Sequence, residues 1–390
     1  MMNRHENDIG RIIEMTRELP SRLKPFQEML LANLVMIGEI PASTFHEQNR
    51  VKFLVQRFTE CGLQNCSTDE FGNGIAILPG KDHKKTILLV AHVDTSFDNR
   101  VDHTYTVNAR HVIGPGSGDN SLGVAVLATL PTLLSKLGIQ LQSDILMLGA
   151  TSFREQGNLE GLRSFLANQH TDLGFGISIE GVPLGRLGYH SMATMGGEIV
   201  CKFDTNHEHR PGAIHVLNRV IHRLCRFADD PLNDATLTLG TVEGGASYKV
   251  PARSATLRFL FKSDRDEIIQ ETTEEIRKII QTVQGETDCW IDLEVFAKCR
   301  AGGLDPSHPL IQQSRRIIAG LGISPIESPH TTVISGFHEH GIPALCLGIT
   351  TGEYINYPDE KVEIAPMVTG IAQLIGLLLA YDGGCCDEHK

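Results

Sequence analysis

The sequence predicts an α/β protein: a mixed sheet flanked by helices, with a smaller α+β unit inserted into it. Two observations carry this. Near-continuous apolar runs at Gly74-Ile-Ala-Ile-Leu78, Thr86-Ile-Leu-Leu-Val90 and Asp144-Ile-Leu-Met-Leu-Gly-Ala150 alternate with helical stretches, as strands covered on both faces do. From about Gly188 the order changes to β-α-β-β-α-β. The expected domains are residues 1–187 with 301–390 as the α/β body, and 188–300 as the insertion.

Taken in order, the elements begin with an amphipathic N-terminal region, Ile9 to Met36 and then Phe45 to Cys61. The strands at Gly74 and Thr86 follow, then a helix from Gly123 to Leu137 and the strand at Asp144. In such sheets, functional sites gather at the carboxyl ends of the strands. The insertion reads as a strand at Gly197–Phe203, a helix at 212–227, strands at Ala235–Leu239 and Ala255–Phe261, a helix at Asp266–Gln284 and a strand at Cys289–Val295. That order is ferredoxin-like. Ile214, Leu217, Val220, Ile221 and Leu224 read as the core-facing stripe of its first helix.

The chain has 390 residues, 41% hydrophobic and 21% charged, which is enough for two domains with sizeable cores. A net charge of -12 argues against a nucleic-acid partner. Neither a phosphate-cradling Gly-Lys-Ser loop nor a Gly-x-Ser-x-Gly elbow occurs. The first residues lack the apolar core of a signal peptide. No apolar run reaches the roughly 20 residues that would span a membrane, so no membrane partner and a cytoplasmic location are expected. Nine cysteines are scattered without zinc-ribbon spacing and read as reduced thiols, and Cys385-Cys386 with His389 as a polar tail.

The most informative stretch is Lys85-Thr-Ile-Leu-Leu-Val-Ala-His92-Val-Asp94. Residues i and i+2 of a strand face the same way. His92 can therefore ligate a metal while Asp94 fixes its ring through the other nitrogen. Next comes Gly114-Pro-Gly-Ser-Gly-Asp119-Asn120-Ser-Leu-Gly123. It sets Asp119 at the start of an apolar helix, as a metal ligand or as an N-cap.

These motifs, with Ile179-Glu180-Gly181, resemble in kind and order the dinuclear zinc exopeptidases of the carboxypeptidase, aminoacylase and tripeptide aminopeptidase type. Phe71-Gly-Asn73, Val242-Glu-Gly-Gly245 with Val250-Pro251, Gly341-Ile-Pro343 and Pro358-Asp-Glu360 extend the resemblance over nearly the whole chain. It implies a phosphorylase/hydrolase-like sheet with an inserted lid and dimerisation domain. It also implies a homodimer formed through that domain, a small peptide or N-acyl amino acid as substrate, and zinc, with manganese or cobalt as alternatives. One ion would be held by His92, Asp119 and Glu180, with Asp94 as a catalytic residue through its hold on His92. A lid histidine, His207 or His209, would serve the neighbouring subunit.

The second half of the site departs from the family. Where the family has a Glu-Glu pair, the chain reads Thr151-Ser-Phe-Arg154-Glu155-Gln-Gly157. With a one-residue gap, Glu155 falls on the second-ion ligand and Arg154 on the general base; without it, both acids are missing. Arg154 cannot take a proton from water at neutral pH. Glu155 is thus the candidate ligand or, if one ion binds, the candidate base. Asn356 falls where the family has a C-terminal histidine, Thr332-Val333 on its Thr-Asp, Tyr248 on an asparagine and Lys262 on an arginine. Arg154 and Asn356 are then candidate substrate-binding residues, and His330, His338 and His340 lie near the altered positions.

Three readings follow. One is an active metal-dependent hydrolase of peptide or amide bonds. Another is an inactive or single-metal relative that acts as a binding or regulatory protein, with the Arg154 guanidinium holding a carboxylate. The third is a hydrolase built on Cys346 or Ser152.

Overall fold

The computed structural model describes residues 2–83, 85–203, 212–231, 233–327 and 333–386. His207, His209, His330, Thr332 and His389 lie outside them. The chain divides into two units, 1–190 with 303–390, and 191–302. The boundaries expected at 188 and 300 fall three and two residues from these.

The larger unit is built on an eight-stranded mixed sheet. Thr86–His92 pairs in parallel with Asp144–Ala150 on one side and Leu173–Glu180 on the other. Leu173–Glu180 pairs in parallel with Ala344–Gly348. All seven residues of Thr86–His92 are buried, which is why its sequence reads as a continuous apolar run rather than an alternating one. The four parallel strands end at one edge, at His92, Ala150, Glu180 and Gly348. Antiparallel strands flank these, Gly74–Leu78 and Gln64–Thr68 on the Asp144–Ala150 side and Arg186–Gly188 beside Ala344–Gly348, and Ile326–Glu327 closes the sheet in parallel with Arg186–Gly188.

Helices Met2–Leu23, Gln27–Gly38, Gln48–Glu60, Leu122–Leu137, Pro309–Gly320 and Met367–Asp382 contribute buried apolar residues to the core around the sheet. The amphipathic region expected from Ile9 to Met36 is two helices, interrupted at Lys24–Phe26. Pro25 lies at the break, because it offers no backbone N–H to continue the ladder. The stretch Ser117–Leu137, which includes Leu122–Leu137, is long and apolar enough to cross a membrane, contrary to the sequence expectation, but 78% of that apolar window is buried inside the protein. It is a core helix of the sheet. At the rim of this unit, the chain leaves at Tyr189 and returns at Leu304, whose N–H donates to the Tyr189 carbonyl at 2.9 Å.

The smaller unit has four antiparallel strands in the order Thr236–Gly244, Ser254–Ser263, Ala193–Lys202, Trp290–Cys299. Helices Ala213–Ala228 and Asp266–Thr287 complete its own core. The third strand of the chain order lies between the first two, the ferredoxin-like interleaving. Its first helix buries Ala213, Val216, Leu217, Val220 and Leu224. Ile214, expected in that stripe, is 48% exposed, because the buried face follows the 213-216-217-220-224 spacing instead.

One buried cation organises the larger unit. Arg50, on Gln48–Glu60, is fully buried. It donates to the carbonyls of Gly38, Ile40 and Val93 and to Ser121 Oγ, at 2.7–3.3 Å. It joins the end of one helix, the exit of the central strand and the entry to the core helix. Burial pulls its pKa down to about 10, so it stays charged at neutral pH. Arg50→Ala leaves these acceptors without their donor, and the expected loss is roughly 2–4 kcal/mol of stability, read by urea denaturation followed by circular dichroism; an unchanged midpoint would refute the role given to Arg50.

Candidate metal centre

His92 closes the central strand and is 3% exposed. Its Nδ1 lies 3.0 Å from the Asp94 carbonyl oxygen and 3.1 Å from Asp94 Oδ1. Both neighbours are acceptors, so in the neutral ring the proton sits on Nδ1 and Nε2 keeps its lone pair. Nε2 points at Asp119 Oδ1, 3.0 Å away, and at Glu180 Oε2, 3.6 Å away. Phe153 stacks on the ring with centroids 4.6 Å apart and planes 10° from parallel.

Ligand atoms of His92, Asp119 and Glu180 all lie within 4.8 Å of one another. Burial opposes charge on His92, but hydrogen bonds to Asp119, Asp94 and Glu180 outweigh it and hold the imidazole pKa well above its usual value. Three acids thus face one ring, and the site calls for positive charge. One imidazole nitrogen and two carboxylates turned to a common point fit one divalent cation.

Asp94 is fully buried. Its Oδ2 accepts from Thr44 Oγ1 at 2.9 Å, Phe153 N at 3.1 Å and Arg154 N at 2.9 Å. Burial opposes its ionisation; the hydrogen bond and charge of His92, then the Arg154 N–H and Thr44, overcome this and lower its pKa. With its oxygens so committed, Asp94 positions His92 and the 151–154 segment.

Asp119 is not a helix cap. Ser121 precedes the helix, and Asp119 has an extended φ/ψ of -130°/82°. Its Oδ1 faces His92, and its Oδ2 takes Arg154 Nη1 at 2.5 Å. Despite burial, His92 and Arg154 hold its carboxyl well below the usual range. Its backbone is fixed by Glu360, whose Oε1 accepts from the N–H groups of Gly118 and Asp119 at 2.5 and 2.8 Å. Burial pushes Glu360 up to about 7. Asn120 donates to the Ile179 carbonyl at 2.7 Å and accepts from Gly123 N and Gly181 N at 3.1 and 2.9 Å, joining the Asp119 turn to the Glu180 strand. A Cβ on Gly123 would stand 2.4 Å from Asn120 Oδ1 and 2.5 Å from the Ile179 oxygen, so this position admits only glycine without rearrangement.

Arg154 and Asn356 also meet here. Arg154 Nη2 donates to Asn356 Oδ1 at 2.8 Å, and Ser96 Oγ donates to the same oxygen at 3.2 Å. Beside them lies a polar cavity of about 670 Å³, lined by Ser43, His46, Gln48, Ser96, Asp98 and others.

Glu155, expected as a ligand, is exposed and outside the ligand set. Arg154 is extended, at φ/ψ -88°/157°, and turns inward to Asp119, while Glu155 starts a short turn at φ 43°. His338 and His340 are exposed, and His340 Nδ1 lies 2.9 Å from the Gly336 carbonyl oxygen of the helix Val333–His338 that precedes it. Cys346 is buried in Ala344–Gly348, and burial pushes its thiol pKa far up, which removes it as a nucleophile. Tyr248 and Lys262 belong to the smaller unit. Thr44 and Glu47 carried no signal in the sequence. Glu47 accepts from Ser152 N at 2.8 Å, and folding alone brings these segments together. Asn120 and Glu360 lie in the Gly114–Gly123 and Pro358–Glu360 motifs, where residue type alone does not reveal that their side chains fix backbone.

Asp94→Asn keeps the shape but removes the charge beside His92. A 10- to 100-fold loss of zinc affinity is expected, read by competition with a chelating dye; equal affinity would show that Asp94 does not set the ring.

A family model described as Peptidase family M28 matches residues 73–175. No curated protein matches the chain. Among solved structures, a tripeptidase from Staphylococcus aureus is 19% identical with a TM-score of 0.70, covering 90% of this chain and 98% of its own. The dipeptidase Dug1p from Saccharomyces cerevisiae is 12% identical with a TM-score of 0.77, covering 95% and 98%. A dinuclear metal-binding peptidase of family M20 from Bacillus subtilis is 15% identical with a TM-score of 0.64, covering 92% and 99%. The chain therefore has the fold of these peptidases, and the matched family segment contains His92, Asp94, Asp119 and Arg154.

Proposed function

We propose that this chain is a metal-dependent hydrolase that cleaves a peptide bond or an N-acyl amide bond in a small substrate. The convergence of His92, Asp119 and Glu180 at the carboxyl edge of the sheet, within 4.8 Å, carries the proposal. Zinc suits this donor set, with manganese or cobalt as alternatives. The chemistry supplied by such an ion is polarisation of a carbonyl and acidification of water.

The protein's own groups divide the remaining work. Asp94 orients His92. Arg154 and Asn356 offer polar atoms at the mouth of the site, and the adjoining cavity gives room for a short peptide. The relatives described as a tripeptidase and a dipeptidase support that substrate size. We assign proton transfer to Glu155, the one carboxylate in Thr151–Gly157; it is exposed on the turn next to Arg154, so the assignment requires that turn to carry it toward the ligands when substrate binds. The competing reading is a catalytically silent protein that binds a carboxylate; it draws on the Arg154 guanidinium.

Six cysteines, Cys61, Cys66, Cys201, Cys225, Cys289 and Cys346, carry free thiols, which supports a reducing, cytoplasmic location. We also infer a homodimer formed through the 191–302 unit. Its support is the outer strand Thr236–Gly244, exposed along nearly its whole length, with Val242 56% exposed.

The test is turnover of di- and tripeptides and N-acyl amino acids with added zinc, manganese or cobalt. His92→Ala is expected to abolish activity, and Glu155→Gln to lower it roughly 10²- to 10⁴-fold. No turnover with any of these metals would leave the binding reading. Light scattering is expected to give twice the chain mass; a single chain mass would exclude the dimer.

A further inference from the structure

We infer that Arg154 is a tethered stand-in for a second metal ion, so that the centre holds one ion per chain. This rests on the metal-dependent reading above and refines it.

The two oxygens of Asp119 face different cationic groups. Oδ1 faces His92 Nε2 at 3.0 Å, and Oδ2 faces Arg154 Nη1 at 2.5 Å. A metal–carboxylate bond is about 2.0–2.2 Å long, so an ion on Oδ2 and the guanidinium nitrogen would compete for one space. The far side of the guanidinium is closed as well: Nη2 donates to Asn356 Oδ1 at 2.8 Å. An amide oxygen accepts that N–H readily, whereas it is a weak zinc ligand. Glu155, the remaining acid that could have held a second ion, is exposed. Among the described residues, those on this side fit a guanidinium and do not fit a metal.

The position of Arg154 is built in rather than incidental. Asp94 Oδ2 accepts the Arg154 backbone N–H, and Glu47 Oε1 accepts that of Ser152. The two carboxylates fix the direction of the loop from which the side chain enters. The side chain is 18% exposed. Its planar, permanently charged group spans Asp119 and Asn356 at once, which an ammonium cannot do with the same geometry. It brings one positive charge where an ion would bring two, and chelators cannot remove it.

The test is the metal content of the full chain, saturated with zinc, desalted and measured by elemental analysis. One zinc per chain is expected, falling to none in His92→Ala. Two per chain in the wild type would overturn the inference and leave the metal-dependent reading intact. None in the wild type would defeat that reading, and this inference with it. The double variant Arg154→Glu with Asn356→His is expected to bind two zinc ions; a content still at one would overturn the stand-in role. Should that variant fail to fold, Arg154→Ala, with its fold checked by circular dichroism, gives an independent answer. Cobalt titration followed by visible absorption should then show a second, weaker step absent from the wild type. An unchanged single step would overturn the role.

Discussion

The site depends on one buried carboxylate. Asp94 gathers Thr44 from the N-terminal connection, the His92 ring from the central strand and two successive N–H groups from the segment after Ala150. Each of these segments reaches the sheet edge from a different part of the chain. Burying a carboxylate is costly unless its lone pairs are used, and here they are. Its ionisation is maintained by the groups it orients, so positioning and electrostatic support are one arrangement.

Around that point, the larger unit keeps acids and cations interleaved. Arg50 is buried against carbonyls and a hydroxyl, Glu360 against three backbone N–H groups, and Arg154 against Asp119 and Asn356. Glu360 binds the backbone of the Asp119 turn and of Asn356. The two residues that flank the Arg154 guanidinium are thereby held by the same side chain. Their separation is set by a group that touches neither side chain.

Much of this could be read from the sequence, for physical reasons that differ by element. The strands Gly74–Leu78 and Asp144–Ala150 run to the residues expected, because apolar runs bounded by glycine or charge leave little choice of register. His92 and Asp94 could be paired because the strand period is two. The interleaved order of the smaller unit followed from its alternation of elements. By contrast, the direction of Glu155 could not be read, because it turns on a backbone reversal at a non-glycine residue. Thr44, Glu47 and Arg50 were silent because each has a decisive partner, Asp94, Ser152 and Ser121, fifty or more residues away. Ile214 was misplaced because two adjacent helical faces carried apolar residues and only packing chose between them.

The hydrogen bond between Leu304 and Tyr189 bears on how the chain is threaded. The larger unit is interrupted by more than a hundred residues, yet its two broken ends meet within one backbone hydrogen bond. For the larger unit, the excursion is a closed loop whose entropic cost grows only with the logarithm of its length. Such a junction tolerates large changes in what lies beyond it, or a short turn in its place, without altering the sheet that holds His92 and Glu180. The gene segment for residues 191–302 can therefore diverge, lengthen or be exchanged on its own schedule.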